Sequence, residues 1–157
     1  MIYRKKTDLY LDVRSSVIRY INKKIKELIE NEIVDGAVYV DLDAHADLAE
    51  MPETHCICLQ GFGADIDEKF VTIEFNIGVA TFNDAEKVIH NKIISEIAGD
   101  LVPMSTIDLV ANETGEVIGA LIINGDTEVA PFAKTNVRSI QFILASALST
   151  ETVSWQS

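Results

Sequence analysis

A chain of 157 residues, 48% of them hydrophobic, can bury roughly 70% of the surface it exposes when unfolded, so its core needs neither disulfides nor a metal. That apolar content excludes disorder, and its apolar runs fall far short of the about 20 residues of a membrane-spanning helix. The net charge of −12 is uneven: residues 1–30 hold eight Lys or Arg against four Asp or Glu, net +4, and residues 31–157 hold five against twenty-one, net −16. So acidic a body repels phosphate backbones and argues against a nucleic-acid groove, leaving only a local basic face on the first helix. The plain reading of these charges is a solvated surface; the functional one is head-to-tail attraction between subunits.

Arg4, Lys5 and Lys6 are followed by charges in Thr7 to Arg14, where a signal peptide would carry an apolar region, so the expectation is a chain made for the cytoplasm. Asp8 through Glu32 reads as one long helix, with Tyr10, Val13, Val17, Ile18, Ile21, Ile25 and Leu28 recurring at three- and four-residue steps. Arg14, Arg19, Lys23, Lys24 and Lys26 largely fill the other positions. Fewer than three clear heptads is too short for a coiled coil, so the apolar stripe is expected to pack on the domain's own sheet. Asp35-Gly36 closes the helix region, and Ala37 to Leu42 reads as a short strand.

Residues 43–54 read as an acidic loop or short helical turn, and order resumes with a strand over His55 to Phe62. Gly63 to Lys69 reads as an exposed connection to a second, antiparallel strand, in which every odd position from 71 to 79 is aliphatic or aromatic. Asn83-Asp84-Ala85-Glu86 is close to a capping box and predicts a helix from about Asp84 to Ile97, with Gly99 as a left-handed C-cap and Pro103 beyond. Ser105 to Ala111 and Glu116 to Ile123 read as strands joined by a tight turn at Asn112-Glu113-Thr114-Gly115. After a turn at Asn124-Gly125-Asp126, Val137 to Ala145 is apolar enough for an internal strand. The fold class expected is α+β, a mostly antiparallel central sheet with a long N-terminal helix and a second helix packed on it. Residues 1–148 form one domain and 149–157 a flexible tail.

Candidate chemistry is sparse. Asp41, Asp43, His45 and Asp47 alternate, so an extended segment would point all four potential metal ligands to one side, with Glu53 and His55 nearby. The run begins like an EF-hand loop but has Ala46 where that loop needs Gly and Pro52 at its twelfth position. A solvated acidic loop is the plainer reading, and no metal or cofactor is expected. Cys56 and Cys58 lack the second pair of a zinc site and read as free, partly buried thiols. No base or oxyanion site is visible to make either a nucleophile with His45, His55 or His90. His90, beside Ile89, reads as a helix-surface imidazole, and Gly61-Phe62-Gly63 as a strand end.

The long first helix, the strands ending at Gly61-Phe62 and running from Phe70 to Thr81, the Asp84 to Ile97 helix, the Thr114-Gly115-Glu116 hairpin and the closing Arg138-Ser139-Ile140-Gln141-Phe142 strand together resemble the tail terminator, or tail completion, proteins of long-tailed bacteriophages. The resemblance covers most of the chain as topology and loose pattern. That family has no short diagnostic motif, so no functional residue carries over to a numbered position. The resemblance implies a homo-oligomeric ring, usually of six subunits, in the tail or neck of a virion assembled in the host cytoplasm. Such a ring caps the tail tube, ends its polymerisation and meets the head-completion or connector protein; DNA would pass its bore without specific binding, and no membrane is involved. Two other readings stay open: another assembly subunit such as a tube or head-completion protein, and a small metal-dependent enzyme using Asp41, Asp43, His45 and Asp47.

Overall fold

The computed structural model describes residues 2–3, 6–40, 53–66, 71–84, 86–134, 138–149 and 152–153. Its first long element is helix α1 (Lys6–Glu30), a run free of Gly and Pro in which one side is apolar. Leu9, Val13, Val17, Ile21, Ile25 and Leu28 are buried along that side. The pattern departs from the sequence reading at three places. Leu9 belongs to the stripe, Tyr10 is 37% exposed with its ring edge-on to Phe62, and Lys24 is buried at 5% exposure. The helix also stops before Asp35-Gly36. Glu32 adopts a left-handed conformation (φ 59°), its N–H donating to the Ile29 carbonyl while that of Ile33 donates to Leu28. This is the Schellman pattern, made without glycine and sealed by apolar contact at Ile33.

Strand β2 (Ala37–Tyr39) follows and pairs in parallel with β3 (His55–Ile66). β3 is antiparallel to β4 (Val71–Phe82), and β4 to β9 (Arg138–Ser149). Beyond β9 lie β6 (Val117–Ile123) and the edge strand β5 (Thr106–Val110), giving the order β2-β3-β4-β9-β6-β5. Two short strands, β7 (Glu128–Val129) and β8 (Ala133–Lys134), continue the pairing on the β6 side of β9. β1 (Ile2–Tyr3) and β10 (Thr152–Val153) form a separate parallel pair, so β9 runs on to Ser149 and a short strand follows where a tail was expected. The α+β expectation therefore holds: a mostly antiparallel sheet with α1 and a second helix, α2 (Val88–Gly99), packed on it. No helix among the described residues is long and apolar enough to cross a membrane.

The sheet's two faces differ. Val71, Ile73, Phe75, Ile77 and Val79 of β4 point to the front, into one core with α1 and α2. A bulge in β3 at Gln60 lets Leu59 and Phe62, three apart, both face that core, and so carries the strand to Ile66 through what read as a loop. On the back, Gly78 and Ala80 leave room for Cys56, Cys58, Ile140 and Phe142, which form a second, smaller cluster.

Local chemistry redraws α2. It begins at Val88, four residues later than the capping box suggests, because Asn83 and Lys87 are left-handed (φ 55° and 59°) and break the first turn. Asp84 still caps it, its carboxylate accepting the His90 N–H at 2.8 Å. The helix continues through Gly99, whose φ is not left-handed. In the β5–β6 turn Gly115 is left-handed (φ 72°), and a Cβ there would lie 3.1 Å from Arg19 Nη1, so the turn needs its glycine.

α1 is clamped to β5 by a buried hydroxyl. Ser16 Oγ accepts the Val110 N–H at 2.8 Å and donates to the Asp12 carbonyl at 2.6 Å. Ser16→Ala should leave that buried N–H unsatisfied and cost about 1–3 kcal/mol in urea unfolding. Ser15→Ala, one residue away, loses only an exposed hydrogen bond to Asn112 Oδ1 and should cost about 1 kcal/mol or less.

Candidate functional site

Asp41, Asp43, His45 and Asp47 lie outside the described residues. Among the described residues no group of three or more His, Cys, Asp or Glu could hold a metal ion. Glu53 and His55 line a cavity of about 320 Å³ with Asp35, Ile89 and Phe82, but the imidazole is already engaged: Nδ1 accepts the Phe82 N–H at 3.3 Å. Cys56 and Cys58 are free, buried thiols on the back face. Burial pushes the Cys56 thiol up against the pull of Arg138, so it stays protonated rather than becoming a nucleophile.

His90 is not on the helix surface; it is completely buried. Gln141 donates its amide to the Ala130 carbonyl at 2.9 Å, which turns its Oε1 toward His90 Nε2 at 3.2 Å, and Thr81 Oγ1 meets Nδ1 at 2.9 Å. The Nε2–H tautomer satisfies every one of these groups, with the Thr81 hydroxyl donating to Nδ1. Phe132 covers the ring at 5.0 Å between centroids, and the Lys87 ammonium sits 4.3 Å over Phe132. Both His90 nitrogens are spent on structure.

Two clefts gather charged side chains. The first, of about 350 Å³, runs between α1 and β5 and brings Arg19, Lys23 and Lys24 against Glu27, Asp100 and Asp108. Of these cations Lys24 is the one held in ion pairs among the described residues, while Arg19 donates to the Gly115 carbonyl at 3.0 Å. Lys24 bonds the Asp100 carboxylate and lies 3.3 Å from Glu27. Burial alone would lower its pKa, but the hydrogen bonds and negative charge of Asp100 and Glu27 prevail and raise it. Tyr20 beside them donates to the Ile97 carbonyl at 3.0 Å, and burial holds its hydroxyl protonated.

The second cleft, of about 460 Å³, opens on the back of the sheet between β3, β4, β9 and β7. Glu74, Asp126 and Glu128 line it, and among the described residues no Lys or Arg does. Its floor is Gly61, Gly63, Asn76, Leu144 and Ser146. Asn76 Oδ1 is buried without a hydrogen-bond partner among the described residues. A Cβ on Gly63 would meet nothing within 4 Å, so this glycine leaves space in the groove rather than fitting a tight turn. Asp65, paired with Thr72 on the same face, adds a further exposed carboxylate. Sequence reading missed this site. Its acids come from three separate places in the chain, and only the acidity of the whole body announced it.

No protein-family model matches the chain, and no curated protein matches its sequence.

Burial pushes both His55 and His90 below the ordinary imidazole value of 6.5; at His90 this works against Gln141 and Asp84, and at His55 against Asp84 with Arg138 assisting. The unfolded chain therefore binds more protons just below 6.5, and the stability these groups contribute is complete above that value and lost as pH falls through it toward their folded values. The thermal midpoint should fall between about pH 7 and pH 5, above the range where carboxylates titrate. His90→Gln should lower the midpoint at neutral pH yet flatten this descent, and adding His55→Gln should flatten it further.

Proposed function

We propose that this chain is a virion structural protein of the tail-terminator kind, a ring that caps the tail tube of a long-tailed phage, ends its polymerisation and presents a surface to the head connector. The observation that carries this reading is the placement of two unlike surfaces on opposite faces of one sheet. An uncompensated acidic groove opens on the back, and the outer side of α1 on the front exposes Arg19, Lys23 and Lys26. Unlike patches on one subunit favour heterologous contacts, which close into rings when the rotation between neighbours allows.

The sheet edges support the same reading. β2 is three residues long and β5 carries an exposed Asp108, features that discourage strand-to-strand association and leave the faces for it. An acidic body also suits a bore through which DNA slides without adhering.

Light scattering with negative-stain imaging should find rings near six times the 17.3 kDa chain, in solution or on tube ends. Added to polymerising tube protein, the chain should shorten tubes and decorate one end of each. Tubes that grow to full length undecorated would overturn the reading, and binding to the connector alone would make the chain a head-completion subunit instead.

A further inference from the structure

We propose that the acidic groove is the socket for α1 of a second copy of this chain, which seats Lys23 and Lys26 of that helix against Glu74, Asp126 and Glu128. The inference rests on the ring reading and names its subunit contact.

The groove's chemistry selects the occupant. Its lining includes three carboxylates and, among the described residues, no Lys or Arg, so what fits must bring N–H groups and positive charge. A bare metal ion does not answer that description, since no three of these carboxylates converge as a ligand set. Nucleic acid is repelled by them. A lysine suits the shape, because its apolar stem can lie along Leu144, 39% exposed, while the ammonium reaches the carboxylates.

The same molecule carries such side chains where a neighbour could use them. Lys26 is exposed on the outer side of α1 with a loose contact to Glu30 at 3.9 Å, and Lys23, exposed at the rim of the α1–β5 cleft, forms no ion pair among the described residues. Leu11 and Ile29, about 60° around the helix from Lys26, are 50% and 40% exposed, an apolar supplement that a solvated helix does not need.

The groove side has a matching supplement. Met104 donates its N–H to the Ile123 carbonyl and the Thr127 hydroxyl bonds Leu101, so the tip at Val102 and Met104 stands beside the turn that carries Asp126. Met104 is held in a left-handed conformation (φ 72°) with 77% of its surface exposed. That arrangement has a cost which a covering partner would offset. Because helix and groove occupy opposite faces of the sheet, each copy offers one to either neighbour.

The test is sedimentation equilibrium of the full chain from about 50 mM to about 500 mM salt. Association should weaken at least about tenfold over that range and, at low salt, in either Glu74→Lys/Glu128→Lys or Lys23→Glu/Lys26→Glu. An equimolar mixture of the two variants should restore it, since each helix then finds a groove of opposite sign. Gly63→Phe should fill the groove, keep the thermal midpoint of the parent and block association. A chain monomeric at millimolar concentration and low salt overturns the contact, as does an oligomer that none of these variants weakens. Arrest of tube growth in either case would leave the ring reading standing without it.

Discussion

The fold depends on burying one side of α1 against one face of the sheet. Six aliphatic side chains from Leu9 to Leu28 disappear from solvent there, each contributing about 1.5–3 kcal/mol. α2 completes the cover, and the cleft left between α1 and β5 holds cations and acids together. The back is different: one end of the sheet is sealed by Cys56, Cys58, Ile140 and Phe142, and the other stays open over Gly61 and Gly63. The open end is the acidic one.

The fold was legible in the sequence where a single period governs it. The alternation from Val71 to Val79 and the three- and four-residue steps of α1 each report burial on one face, and both are borne out. The Gly115 turn was legible too, because a left-handed residue between two strands has few solutions. What the pattern hid were local overrides. The bulge at Gln60 made Gly63 to Ile66 resemble a loop, left-handed Lys87 delayed α2, and left-handed Glu32 ended α1 without the expected glycine. His90 escaped because its burial depends on Thr81, Gln141 and Phe132, none of which its own helix announces. The groove escaped for a similar reason, since strand pairing brings Glu74 and Glu128 together across 54 positions.

The basic character of α1 divides in two. Lys24 turns inward and is neutralised by Asp100 and Glu27, so its charge serves the fold; Lys23 and Lys26, one and two positions away, face water. A count of net charge along the helix treats these as equivalent. Their geometry separates an internal ion pair, whose removal would strand charge, from cations available for association.

The Ser16 to Val110 clamp joins residues 94 positions apart. At roughly 5–20 residues per second of synthesis, α1 leaves the ribosome about 5–20 s before its docking strand exists. Its apolar side waits for β3 and β4 and is fully covered only when β5 arrives. The newborn chain thus presents an amphipathic helix to whatever is near, including α1 of another nascent copy. Its yield in a cell is then governed by protection of this one segment during translation as much as by the stability of the finished domain.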